Sequence, residues 1–260
     1  MRKTSILFIG IKESNESHTC LTSLYSNQNI EVLTPILFSL EKWLNKKSNL
    51  KKLSYLLRKV TIKQIIRYIF SGDNALEKKL HNLKKSPLII SSMDELKTSM
   101  SNYRFDIALV CSFPFKISQD IRKTAKNCFV NLHSNDIQCL RGEFPIEAAV
   151  LEKKSLNAVS LHVMTDEFDS GKLLSKRTYN IYDCYLMRQI IDRNSEALRD
   201  IVLNIDKYLD KNNIQKEEKT KQKKGKLVAV SWLNRNLIDF YVIKNFAVIK
   251  IKGFFRKNLS

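Results

Sequence analysis

Long apolar runs are missing from this 260-residue chain. The longest, such as Ile6–Ile11 with its Gly10, fall far short of the ~20 residues that a bilayer span requires, so no transmembrane segment is expected. Secretory features are missing too. The basic start (Arg2, Lys3) and short apolar stretch run straight into Lys12, Glu13 and Ser14 without a small-residue cleavage site, so they read as a first strand. Paired cysteines are absent. Cys20, Cys111, Cys128, Cys139 and Cys184 are scattered, odd in number and free of any CxxC pair. That pattern argues against a disulfide framework or a metal site and for reduced thiols in the cytoplasm.

Acidic residues are in short supply, 26 against 45 Lys+Arg, which leaves a formal charge of +19. Such a surplus concentrates anions: nucleic acid, anionic lipid or phosphorylated metabolites. A second origin fits equally well. Lysine outnumbers arginine and Asn and Ile are abundant, the mix that an A/T-biased coding sequence produces without functional selection. Hydrophobic residues make up 43%, enough to bury a sizeable core and to exclude disorder throughout.

The first half alternates short apolar runs with helical patterns, the signature of βαβ units and a parallel sheet. Strands are expected at Ile6–Ile9, Ile30–Leu33, Leu88–Ile90, Ile107–Cys111 and Cys128–Leu132, with helices through Leu21 and Leu24, near Met93–Met100 and over Ile117–Ala125. Between the second and third strands, residues 41–85 set Leu53, Leu56, Leu57 and Val60 among lysines, which reads as a basic amphipathic helical insert. Val159–Val163 and Lys172–Ile181 read as later strands, and Asp183–Tyr208 as a long helix with Asp183 as N-cap. The expected class is α/β, a Rossmann-like, mostly parallel sheet. Residues 1–208 form the main domain, 209–226 a charged linker and 227–260 a small antiparallel β appendage, with strands at Leu227–Trp232, Leu237–Val242 and Phe246–Ile251.

One segment carries chemistry. Asn131-Leu132-His133 ends a buried strand, where open α/β sheets place their ligands. Arg141-Gly142 and Pro145 follow in a loop, and a second strand leads to Thr165–Gly171 with Asp169. An amide, an imidazole and a carboxylate on adjacent loops suit acyl transfer to an amine. The amide stabilises an oxyanion, and the imidazole holds or shuttles a proton. The carboxylate orients the imidazole and takes the proton shed by the amine.

The spacing Asn131-x-His133, Arg141-Gly142-x-x-Pro145, His162 and Asp169-x-Gly171 resembles the folate-dependent formyltransferases, whose pattern is approximately N-x-H-P-S-L-L-P-x-Y-R-G-x-x-P followed by T-x-H and D-x-G. The resemblance extends over about residues 4–205 and includes Asp106–Ile117, which looks like the family's folate-side strand and loop. It implies 10-formyltetrahydrofolate as formyl donor and a primary amine as acceptor. By matching position it makes Asn131, His133 and Asp169 the catalytic trio. Phe113, Phe115 and the Val163 backbone would face the pterin, while Arg141 and Gly142 lie on the acceptor side, where Arg141 either contacts the acceptor or fixes the loop. His18, His81 and His162 read as structural. Ser134–Gln138 replace the usual P-S-L-L-P, and Leu140 the usual tyrosine, so the acceptor side differs.

Three branches of that family compete. The glycinamide ribonucleotide enzymes resemble Leu161–Leu174, but residues 10–17 hold one glycine, too few for their phosphate loop. The methionyl-tRNA enzymes share the R-G-x-x-P loop, and the charge suits tRNA, but Leu227–Ser260 is too short for their C-terminal barrel. The sugar N-formyltransferases share the loop and Ser160-x-His162, and often end in a β appendage that pairs two subunits. The expected acceptor is therefore a nucleotide-linked amino sugar for surface polysaccharide, with a homodimer through the appendage and nucleic acid as the lesser candidate. A catalytically inactive binding module of the same fold is the non-enzyme alternative.

Overall fold

A computed structural model describes residues 3–48, 85–209, 225–239, 241–242 and 244. Its centre is β1 (Thr4–Ile11), whose alternating side chains feed two cores. Ile6 and Phe8 pack with Leu21, Leu24, Leu109, Leu198 and Ile201 on one face of the sheet. Leu7 and Ile9 pack with Phe38, Leu96, Met100, Val110 and Phe129 on the other. A strand buried on both faces reads as the continuous apolar run seen in the sequence.

After β1 come α1 (Asn15–Ser26), β2 (Ile30–Val32), β3 (Ile36–Phe38), α2 (Leu40–Asn45), β4 (Leu88–Ile90), α3 (Met93–Ser101), β5 (Ile107–Cys111), α4 (Gln119–Arg122) and β6 (Cys128–His133). Next are β7 (Leu140–Arg141), α5 (Pro145–Leu151), β8 (Leu156–Val163), β9 (Leu173–Asn180), α6 (Met187–Leu203), α7 (Ile205–Tyr208), β10 (Lys226–Leu227) and α8 (Trp232–Asn236). The main sheet has eight strands in the order β4-β3-β1-β5-β6-β8-β9, with β2 also on β1. From β4 to β6 all pairings are parallel; β8 and β9 close the far side antiparallel. This is the expected α/β, Rossmann-like fold.

The structure corrects several boundaries. β3 was not foreseen: β2 pairs with Thr4–Ile6, and beyond Pro35 the chain returns to pair with Ile9–Ile11. The helix expected over Ile117–Ala125 shrinks to α4, where the Arg122 guanidinium takes the Ile117 carbonyl at 2.7 Å. Asp183 caps no helix. It pairs with Arg193, in the second turn of α6, whose first residue is Met187, and the helix breaks at Asn204 before α7. Leu227–Trp232 and Leu237–Val242 are not an antiparallel pair. β10 runs parallel to β7 for two residues, and helix follows, because Ile238 and Val242 at i,i+4 spacing bury one helical face against Leu140 and Ile146. Most of the expected insert (49–84), most of the linker (210–224) and Phe246–Ile251 lie outside the described residues.

Candidate active site

Strand pairing alone brings the first two groups together. Asn131 on β6 lies opposite His162 on β8, and His133 opposite Ser160. Asn131 Nδ2 lies 3.2 Å from His162 Nε2. The other ring nitrogen, Nδ1, is 3.1 Å from the Val163 carbonyl. A carbonyl can only accept, so Nδ1 carries the proton and Nε2 is the acceptor for the Asn131 amide. That chain orients Asn131 by holding one of its N–H groups on His162. Burial, reinforced by nearby His133 and opposed by Asp169, lowers the His162 pKa to about 4, so it is neutral near pH 7.

Asp169 enters from the loop after β8. Its Oδ1 is 3.6 Å from His133 Nδ1 and 3.9 Å from His162 Nε2, and its Oδ2 accepts the Gly142 N–H at 3.1 Å. Asp169 itself is left-handed (φ 50°), a conformation that Asp tolerates better than most residues. Two residues on, a Cβ at Gly171 would sit 1.6 Å from the Val163 carbonyl oxygen, so only glycine lets this loop press against β8. The D-x-G motif is thus a geometric requirement for delivering the carboxylate.

The structure gathers Asn131, His133, Asp169 and Gly142 into one cluster. His133 Nε2 is buried and has no partner among the described residues, an orphan nitrogen that a bound group would satisfy. Phe113 and Phe115, in the loop after β5, join an edge-to-face cluster with Phe38 at 5.8 and 5.0 Å, and Trp43 lies 5.7 Å from Phe115. Val163 serves the chain itself: its N–H is taken by the Lys172 carbonyl and its own carbonyl by His162. Arg141 fixes its loop. Nε donates to the Gly225 carbonyl at 2.9 Å and Nη1 to the Phe168 carbonyl at 3.2 Å.

Two residues that hold the candidate site together escape a reading of the sequence. His162 reads there as structural, yet it orients Asn131; its signal is the antiparallel register that follows the strand at 128–133. Glu16, in the first turn of α1, gathers the ends of three elements. It accepts from Ser134 Oγ (2.6 Å), Asn194 Nδ2 (2.9 Å) and Ser112 Oγ (2.5 Å). Asn194 bonds onward to Tyr179, and Asn157 bonds to both Tyr179 and the Ser134 carbonyl. Ser134 directly follows His133, so this network anchors the backbone next to the imidazole.

Among the described residues no group of three or more His, Cys, Asp or Glu could hold a metal ion, and no helix is long and apolar enough to cross a membrane.

No protein-family profile matches the chain. Residues of this chain are 29% identical over 118 positions to the methionyl-tRNA formyltransferase of Wigglesworthia glossinidia brevipalpis, covering 45% of this chain and 37% of that one. The chain thus spans well under half the length of that relative. Among solved structures, a sugar N-formyltransferase from Shewanella sp FDAARGOS_354 superposes with a TM-score of 0.56 at 13% identity, covering 93% of this chain and 88% of that one. HypX from Aquifex aeolicus in complex with tetrahydrofolic acid gives 0.55 at 16% identity, over 91% of this chain and 34% of that one. In fold the chain is similar to solved formyltransferases and in sequence to a methionyl-tRNA formyltransferase, and its motif from Asn131 to Gly171 lies in line with both likenesses.

Proposed function

We propose that this chain transfers the formyl group of 10-formyltetrahydrofolate to the primary amine of a nucleotide-linked amino sugar, in the cytoplasm and for surface polysaccharide. The observation that carries the proposal is the convergence of Asn131, His133 and Asp169 around an orphan imidazole nitrogen. The donor supplies an electrophilic formyl carbon. Asn131, its amide oriented by His162, would donate its remaining N–H to the formyl oxygen as negative charge builds there. His133 would donate an N–H at Nε2 to the same oxygen. Asp169, held by the Gly142 N–H, would keep the imidazole oriented and accept the proton shed by the attacking amine; the formyl C–N10 bond then breaks and that proton passes to N10 of the departing tetrahydrofolate. Phe113 and Phe115 would offer an apolar aromatic wall to the pterin.

Support for a sugar acceptor comes from the superposition on the Shewanella sugar N-formyltransferase, which extends over 88% of that chain. The second reading, Met-tRNA as acceptor, is favoured by the methionyl-tRNA sequence relative and by the charge of +19. A panel assay separates them: 10-formyltetrahydrofolate is supplied with nucleotide-linked amino sugars or with Met-tRNA, and release of tetrahydrofolate is followed. Turnover with an amino-sugar nucleotide supports the proposal, turnover with Met-tRNA alone replaces its acceptor, and no turnover with either removes it.

A further inference from the structure

The C-terminal segment is bonded to the loop that holds the candidate catalytic carboxylate. The Gly225, Lys226 and Val228 N–H groups each donate at 2.9 Å, to the carbonyls of Ile137, Cys139 and Arg141 in turn. The Arg141 guanidinium returns to the Gly225 carbonyl at 2.9 Å. These contacts leave no slack. A Cβ at Gly142 (φ +114°) would meet the Val228 carbonyl oxygen at 2.7 Å, and one at Gly225 would meet the Cys139 carbonyl carbon at 2.5 Å. Farther on, the buried Arg235 guanidinium lies 3.9 Å above the Phe144 ring, the left-handed residue that starts α5. Ile238 and Val242 pack with Leu140, Ile146 and Ala149.

Between these anchors stands Gly142, whose N–H holds Asp169 Oδ2. We infer that Gly225–Val242 is a working part of the catalytic unit, a positioning brace that fixes loop 137–144 so that Gly142 presents its N–H to Asp169. The inference rests on the formyl-transfer reading above and gives the segment a task other than joining two subunits. It also accounts for the two scarce glycines at 142 and 225, where two backbones pass too closely for any side chain.

Gly225→Ala in the full chain tests it, because the added methyl must push β10 off Cys139 and Leu140 while altering none of the candidate catalytic side chains themselves. Three readouts are compared with the parent: 5-formyltetrahydrofolate affinity, kcat with the acceptor found in the panel, and amide hydrogen exchange over residues 137–142. The expected result is affinity within about twofold, kcat lowered about tenfold or more, and faster exchange, the scale set by losing one or two hydrogen bonds. Unchanged kcat would overturn the inference, and so would affinity and kcat falling together, as general damage to the fold would produce. If the parent neither binds the folate nor turns over, the formyl-transfer reading fails instead. Exchange then still tests the brace, and unchanged protection of 137–142 in the variant would overturn it.

Discussion

Asn131 and His162 show how much of this site depends on which nitrogen carries a proton. With His162 Nδ1 bound to the Val163 carbonyl, Nε2 can only accept, and the Asn131 amide is turned accordingly. Replacing Asn131 by Ala should therefore lower single-turnover formyl transfer by ~100-fold or more, the loss typical of an oxyanion donor. His162 also links the site to stability. Its ordinary pKa of 6.5 falls to about 4 in the folded chain. Above about pH 6.5 both folded and unfolded states carry it neutral and its contribution is complete. As pH falls toward 4, the unfolded chain takes up a proton that the folded chain refuses, and stability declines by on the order of 3 kcal/mol. Denaturant unfolding at pH 7 and pH 5 should show this decline in the parent and a smaller one in His162→Gln. The motif residues were legible in the sequence because their spacing is rigid. His162 and Glu16 were not, since the role of each depends on a partner 31 positions away or more, brought near only by strand pairing or by helix α1.

At the scale of elements, the strands buried on both faces announced themselves as apolar runs, and β1, β5 and β6 stand where those runs are. The shorter strands β3 and β7 did not. Three apolar residues after Pro35, or the pair Leu140-Arg141 after Cys139, carry no period, and their pairing is decided by neighbours that exist only in the fold. The C-terminal segment misled for a related reason. Val228, Val230 and Trp232 alternate like a strand, yet beyond them the i,i+4 burial of Ile238 and Val242 prevails. The aromatic wall depends on β3. Phe38 is fully buried and touches both Phe113 and Phe115. Phe38→Ala should cost about 3 kcal/mol or more in denaturant unfolding. Folate affinity should fall as well, because the two loop rings lose their backing. An unchanged affinity would separate Phe113 and Phe115 from the donor site.

For the molecule as a whole, the open question is what the +19 charge meets. Salt bridges pair many of the described basic groups, for instance Lys46 with Glu95, Arg122 with Asp166 and Arg177 with Asp200. Much of the surplus lies in 49–84 and 210–224, outside the described residues. The central claim, a formyl donor held beside Asn131, His133 and Asp169, is independent of that charge. Titration calorimetry of the purified chain with 5-formyltetrahydrofolate, a stable stand-in for the donor, tests it most directly. The account predicts micromolar binding that weakens about tenfold in Phe115→Ala, where one ring of the apolar wall is lost. Absence of binding heat at any attainable concentration would contradict it, and would leave the Asn–His–Asp cluster as the remnant of a formyltransferase fold put to another use.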